Sequence, residues 1–413
     1  MSLSLKRKVA VIGAGMTRFH NRIHAGKTSR ELFVEAAMEA VESVDKGFHL
    51  KDVEALYVGN FSSDIFEHQC HLAPLLADWL GLCPKPATRI ENACGSGGAA
   101  LQVGVMAIAS GLFDVVMVGG VEKMTNLPTE EVTNTLAMAS DNFYEASLGM
   151  TFPGIYAEMA SAYFSKYGER YEWLASVTIK NHHNGKLNPK AHFQDEVLEL
   201  GNRFGEKKGI HFKDEMEFLK SPLNYVVAHP LRLFDCCPIS DGAAVVILTN
   251  AERAKEWTDT PIYVEGVGQA SDTMALHDRS ELTSIRGTVE AGRRAFRMAE
   301  IEPEDVDLAI VHDCFTIAEI IATEDLGFFE RGKGGEAAED GVTALDGDIP
   351  VNTDGGLKAK GHPVGATGVA MVYESWKQLR GEAGARQVPR ASKALIHNVG
   401  ASGGTVVVQV LGR

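Results

Sequence analysis

The sequence predicts an α/β protein built from two duplicated halves, with a long insertion in the first. Three observations carry this. Short apolar, strand-like runs alternate with stretches whose apolar residues fall at helical spacing, the pattern of a layered α/β architecture. Three segments recur in the same order: Val11–Gly15 as Val264–Gly268 and Asp52–Val58 as Asp305–Val311, both 253 residues on, and Gly95–Ala100 as Gly365–Ala370, 270 residues on. Three matches in order, drifting only by loop insertions, mark an internal duplication. Finally, His397–Gly404 runs almost directly into Thr405–Leu411, whereas the corresponding Gly119–Gly120 and Ser240–Leu248 are held apart by residues 121–239. The expected organisation is an N-terminal half of residues 1–120 plus 240–252, an inserted loop or cap domain at 121–239, and a C-terminal half at 253–413. Long insertions of this kind carry substrate or oligomer contacts, and that is the expectation here.

The elements follow in order. Lys8–Ile12 is an apolar strand ending in Gly13 and Gly15. It invites a dinucleotide-binding reading, but Arg18 stands where the third glycine of that fingerprint belongs, and no acidic residue is clearly placed on a second strand. Residues 29–47 carry apolar positions at helical spacing, Asp52–Gly59 reads as a strand, and a further helix is expected around 70–80. Next come a small-residue helix behind Cys94 and a buried strand at Asp114–Gly120. The insertion has weaker strand signals and more aromatic, Lys and His residues, so it reads as a mostly helical and looped cap.

Composition sets limits on function. A chain of 413 residues has room for two to three domains, and its net charge of −15 excludes a general nucleic-acid-binding surface. No apolar run is long enough to span a bilayer. The opening Met-Ser-Leu-Ser-Leu-Lys-Arg-Lys leads directly into a strand-like Val9–Ile12, and the closing Val-Leu-Gly-Arg is not a peroxisomal address. The six cysteines have no regular spacing, so neither a disulfide framework nor a zinc cage is indicated and a reducing, cytoplasmic setting is expected.

Four glycine-punctuated stretches fall at equivalent places in the repeat, near strand ends or helix starts, where open α/β sheets bind ligands. They are Asn92–Ser96, His312–Phe315, Gly361–Gly368 and His397–Gly404. Cys94 is expected at the mouth of a helix, where unpaired N–H groups favour a thiolate. An ordinary thiol, with a pKa near ~8.5, is only a few per cent ionised at neutral pH, so a partner base is also needed. The His68-Gln-Cys-His71 cluster has no further paired ligands at a standard metal spacing and reads as local structure. Cys236 and Cys237 read as packing.

Together, the nucleophile-type Cys94 helix, Gly119-Gly-Val-Glu-Lys-Met124 and Gly355-Gly-Leu-Lys-Ala-Lys-Gly-His-Pro-Val-Gly-Ala-Thr-Gly368 resemble the thiolase superfamily over nearly the whole chain. His312-Asp-Cys-Phe315 is similar to the sterol-carrier-type and archaeal-type members rather than the degradative ones. The resemblance implies a thiolase-like fold: two βαβαβαββ halves in an α-β-α-β-α arrangement, with an inserted loop domain. It implies an acyl-CoA C-acyltransferase that cleaves or condenses a 3-oxoacyl-CoA through an acyl-Cys94 intermediate. His362 would be the base for Cys94, and Cys314 a second acid/base. His312 would take the place of an oxyanion-hole asparagine, and the Cys94 and Gly400 N–H groups would form a second oxyanion hole. Asn398 stands where degradative relatives carry an acid/base cysteine. Lys180, His183 and Lys186, with His182 and Lys190, are candidates to meet the CoA phosphates. CoA thioesters would be substrates, with no permanently bound cofactor and no metal. A homodimer or higher homo-oligomer and a small OB-fold, zinc-ribbon partner subunit are further expectations. The rival readings are a ketoacyl-synthase-like or hydroxymethylglutaryl-CoA-synthase-like condensing enzyme, and a thiolase-like scaffold subunit. Cys314 separates the condensing enzymes, which do not use a second catalytic cysteine.

Overall fold

The computed structural model describes residues 5–413, and the first four residues of the opening segment lie outside it. The first half runs β1 (Val9–Met16), α1 (Ser29–Glu42), β2 (Ala55–Gly59), α2 (Ser63–Phe66), α3 (Leu72–Trp79), β3 (Ala87–Ile90), α4 (Ser96–Ala109) and β4 (Val115–Glu122). Five helices follow: α5 (Thr129–Ala137), α6 (Phe152–Tyr167), α7 (Tyr171–Lys186), α8 (Val197–Glu206) and α9 (Glu215–Lys220). A small hairpin of β5 (Val226–Ala228) and β6 (Leu231–Arg232) precedes β7 (Gly242–Asn250). The second half is β8 (Ile262–Ser271), α10 (Arg286–Ala299), β9 (Leu308–Ile310), α11 (Thr316–Asp325), α12 (Gly334–Glu339), α13 (Thr367–Arg380), β10 (Lys393–Gly400) and β11 (Thr405–Gly412).

The sheet order exposes the duplication. It reads β3-β2-β4-β7-β1-β8-β11-β10-β9. In each half the first strand lies antiparallel to the last (β1 on β7, β8 on β11), the last antiparallel to the penultimate (β7 on β4, β11 on β10), and that one parallel to the second (β4 on β2, β10 on β9). The counterpart of β3 is reduced to a parallel bridge between Ala309 and Val351. Among the described residues, only three pairs, Val9–Val264, Ala10–Tyr263 and Val11–Ile262, join the halves along the sheet.

Helices α1 and α3 cover the outer face of the first half, α10 covers the outer face of the second, and α4 and α13 pack against each other between the two sheet halves. Helix α4 is apolar almost all round, as a helix with a sheet on each side must be. Glycines allow the central approach. A Cβ on Gly97 would sit 2.8 Å from the Gly365 carbonyl oxygen, and one on Gly368 only 2.2 Å from the Gly98 nitrogen. Gly15 has the same duty elsewhere: its Cβ would meet the backbone of α1 at 2.4 Å, so the β1 glycines serve helix–strand packing rather than a dinucleotide.

Candidate active site

The nucleophile stretch folds as a short 3₁₀ turn, Ala93–Gly95, immediately before α4. The Ser96 hydroxyl ties it together, donating to the Ala93 carbonyl (2.6 Å) and accepting from the Asn92 N–H (2.9 Å). Ala93 itself is held at φ 51°, a left-handed conformation that costs a non-glycine residue ~1–3 kcal/mol. The turn so made presents Cys94 to a cavity of about 260 Å³, together with Cys314, His362, Phe315 and Ala401. Much of its remaining wall comes from residues 124–239, including Phe152, Tyr225, Val227 and Cys237.

Sγ of Cys94 and one ring nitrogen each of His312 and His362 lie within 4.8 Å of one another. Nε2 of both histidines is buried and has no hydrogen-bond partner among the described residues. Their other nitrogens are engaged, and that fixes the tautomers. Thr367 spends its hydroxyl hydrogen on the Pro363 carbonyl (3.0 Å), so its oxygen can only accept from Nδ1–H of His362 (2.6 Å). Nε2 of His362 is then left as a bare lone pair. Asn398 is oriented by accepting from the Gly98 N–H (3.0 Å) and donating to the Cys94 carbonyl (3.0 Å). Its second amide hydrogen faces Nδ1 of His312 (3.3 Å), so Nε2 of His312 carries the hydrogen. One histidine therefore offers a base beside the Cys94 sulfur and the other a donor. Three such soft donors could also close on a cation such as Zn²⁺ at bond lengths of ~2.0–2.3 Å after small side-chain movements.

Burial decides the charges. It pushes the Cys94 thiol up to about 12 despite an N–H from Ala401 that favours the thiolate. The helix end expected to ionise Cys94 is thus outweighed by loss of water. Burial, reinforced by the Lys360 cation, takes His362 down to about 3, and burial with the neighbouring His362 holds His312 well below its ordinary value. Both rings are neutral at pH 7. Cys314 is raised by burial and by Cys237, against the nearby Tyr156, whose hydroxyl donates to the Ala401 carbonyl (3.1 Å).

Buried carboxylates hold the pieces in register. Glu122, at the end of β4, accepts from the N–H groups of Phe61 (2.9 Å), Ser62 (3.0 Å) and Gly365 (3.0 Å), clamping the loop after His362 to the first half. Asp313 accepts from the N–H of Leu357 (2.6 Å) and Lys358 (3.2 Å), anchoring the turn before His362. Asp354 pairs with the buried Lys360 in the same turn.

The structure thus brings Cys94, His312, His362 and Cys314 together, and packs Gly400 against the Asn92–Gly95 turn, where its Cβ would strike the Asn92 carbonyl at 2.5 Å. It does not bring the expected phosphate ligands. Lys180 is buried in an ion pair with Glu319 (2.8 Å), His183 faces Glu196 (3.2 Å), and Lys186 pairs with Glu199 (2.9 Å). His182 is buried, and Lys190 pairs with Glu39 (2.6 Å). None of these lines the Cys94 cavity. Cys236 and Cys237, read from sequence as packing, instead line it, and the Cys237 N–H donates to the Cys314 carbonyl (3.0 Å). Tyr156 beside Cys314 and the Glu122 clamp act on residues distant along the chain, as does Asn398 in setting the His312 tautomer; Thr367 lies only five residues from His362, but its role rests on side-chain geometry that the sequence does not display.

Comparison with known proteins agrees with the fold. The thiolase N-terminal domain matches residues 9–252, and the thiolase C-terminal domain-like family matches residues 268–413. An acetyl-CoA acetyltransferase of Methanothermobacter thermautotrophicus is 48% identical over 98% of this chain and 100% of its own length. Sterol carrier protein 2 of Bos taurus is 31% identical over 98% of this chain and 72% of its own. Among solved structures, one named Ltp2-ChsH2(DUF35) aldolase superposes with a TM-score of 0.80 at 23% identity, covering 99% of this chain and 98% of the other. Human mitochondrial 3-ketoacyl-CoA thiolase, in complex with CoA, superposes with a TM-score of 0.72 at 17% identity, covering 100% and 99%. The duplicated fold and its relatives define an acyltransferase. The chain belongs to the thiolase family. None of its described helices is long and apolar enough to cross a membrane.

Proposed function

We propose that the chain exchanges acyl groups between CoA thioesters, condensing or cleaving a 3-oxoacyl-CoA with Cys94 as the carrier. The opposed tautomers of His362 and His312 around Cys94 are the observation that carries this reading. In the first half-reaction Nε2 of His362 takes the Cys94 proton as sulfur attacks the thioester carbonyl. The tetrahedral oxyanion lies toward the Cys94 and Gly400 N–H groups. As it collapses, the C–S bond to CoA breaks, and the Cys314 thiol gives its proton to the departing sulfur. Cys314 is left a thiolate beside the His362 imidazolium and the Tyr156 hydroxyl.

In the second half-reaction that thiolate takes the α-proton of an incoming thioester, and Nε2–H of His312 donates to the oxygen on which enolate charge collects. The carbanion attacks the acyl carbon. The Cys94 sulfur departs and recovers its proton from His362, so the protonation states return to the start. Thiolysis is the same path reversed. A cavity of about 260 Å³ favours small acyl groups such as acetyl. CoA enters as substrate only, with no resident cofactor required.

Support for a second subunit comes from the DUF35 component in the name of one structural neighbour. It also comes from the mouth of the cavity, where Tyr225, Val226 and Val227 are 56%, 47% and 40% exposed. Self-association and a cytoplasmic setting complete the reading. Incubation with acetyl-CoA followed by intact mass measurement tests it: a single acetyl adduct, lost in Cys94→Ala, is expected. A chain that stays unmodified is a scaffold, not a transferase.

A further inference from the structure

Behind the reaction cavity lies a second one of about 730 Å³ that the proposed chemistry does not use. The two share a wall, Leu233 and Cys236–Pro238. Backbone bridges tie this stretch to the reaction side, Cys236 to Phe315 and the next residue past the wall, Ile239, to His362.

The second cavity is basic, although the chain carries a net charge of −15. Arg18 and Arg22 stand on one side and Lys358 at its depth. Lys358 is 2% exposed, yet no carboxylate pairs with it among the described residues; its ammonium faces the rings of Phe234 (5.4 Å) and Phe193 (5.8 Å) and Nε2 of His182 (3.5 Å). Arg18 donates Nε–H to the Ala191 carbonyl (3.1 Å) and keeps the rest of its guanidinium free of ion pairs, and Arg22 makes none among the described residues. The lining Asp195 is already held by two bonds from Arg203 (2.8 and 3.3 Å). Burial, then His20, and after them Lys358, Arg18 and Arg22 take the neighbouring His192 down to about 3. Burial holds Lys358 below its ordinary value, and the nearby Cys236, Cys237, Asp235 and Asp313 work against that shift without forming an ion pair, so a bound anion is what would keep this ammonium charged.

The walls add an aromatic element. His20 and His192 stack at 4.7 Å with an 11° interplanar angle, and Phe193 and Phe234 face the same space. Two guanidinium forks and an ammonium fit phosphate oxygens, and stacked flat rings fit a base. The volume is in the range of small-molecule sites, ~300–1,000 Å³.

We infer that this cavity is a binding site for a phosphorylated nucleotide-class anion, held by Arg18, Arg22 and Lys358 and walled from the reaction cavity by Cys236–Pro238. Two sources share that chemistry: the adenosine phosphate end of CoA and a free nucleoside diphosphate. The site stands on its own charges and does not rest on the acyl-transfer reading.

Calorimetric titration of the full chain with adenosine 5′-diphosphate should show one saturable site with a dissociation constant below ~1 mM. Binding should weaken at least about tenfold in R18A/R22A and in Lys358→Met, with circular dichroism reporting that the variants are folded. Repeating the titration in saturating CoA separates the sources: undiminished binding assigns the site to a separate nucleotide, whereas competition together with a raised KM for acetyl-CoA in R18A/R22A assigns it to CoA itself. No saturable binding at millimolar nucleotide, or binding equally tight in folded R18A/R22A, overturns the proposal. An absent acetyl adduct on Cys94 would sink the acyl-transfer reading and leave this one standing.

Discussion

The glycine-led starts of α4 and α13 descend from one repeated design, yet they do different work. At α4 the chain turns through a strained Ala93 and presents a sulfur. At α13 the equivalent glycines are preceded by His362, whose ring is fixed by Thr367 of its own helix. Asn398, from the second half, then reaches back to the Cys94 carbonyl and across to His312. The difference teaches that duplication supplied a symmetric frame, while the residues just outside the helix starts broke the symmetry into a nucleophile side and a base side.

That contrast can be broken in graded steps. Removing the base, His362→Ala, should slow acetylation of Cys94 by ~10²–10⁴-fold, read by quenched intact mass. Asn398→Ala leaves Nδ1 of His312 free to take the proton, so Nε2 ceases to donate. The carbon–carbon step should fall by ~10²–10³ while acylation suffers less; equal losses in both half-reactions would place His312 on the acylation side instead. Thr367→Val removes the acceptor that holds Nδ1–H of His362 and should cost roughly tenfold in acylation, a smaller loss than deleting the ring.

The resting thiol gives a pH signature. With Cys94 pushed up to about 12, its alkylation by iodoacetamide, followed on the Cys94 peptide, should climb about tenfold per pH unit from 7 to 10 without levelling. A plateau near pH 8.5 would mark an unperturbed thiol. The smallest effect concerns the frame: Gly368→Ala forces a Cβ to 2.2 Å from the Gly98 nitrogen and should destabilise by ~1–3 kcal/mol, seen as a lowered Tm.

The frame and the reacting groups were legible in the sequence because each leaves a local mark. Strand periodicity, repeated glycines and a cysteine before a small-residue helix are all short-range patterns. What could not be read depends on contacts made far along the chain. Asn398 meets Cys94 across 304 residues, and its amide was visible only as the absence of a cysteine. Lys180 looked like a phosphate ligand, but the turn of α7 aims it inward at Glu319, a matter of helix phase against a partner that composition does not display. The charge on Cys94 is set by distant contacts as well. The helix end is a sequence feature, whereas the loss of water that outweighs it comes from walls supplied by residues scattered between 124 and 401.

The narrow seam between β1 and β8, three residue pairs wide, has a consequence for how the chain can be divided. A cut near residue 253 would sever few sheet bonds and leave each fragment its own strand set. Neither fragment would keep a partner for its central glycine-faced helix, and neither would hold both sulfur and imidazole. Two inert polypeptides co-expressed from such a cut would recover activity only by docking α4 on α13, which makes split-chain complementation a direct reporter of that contact.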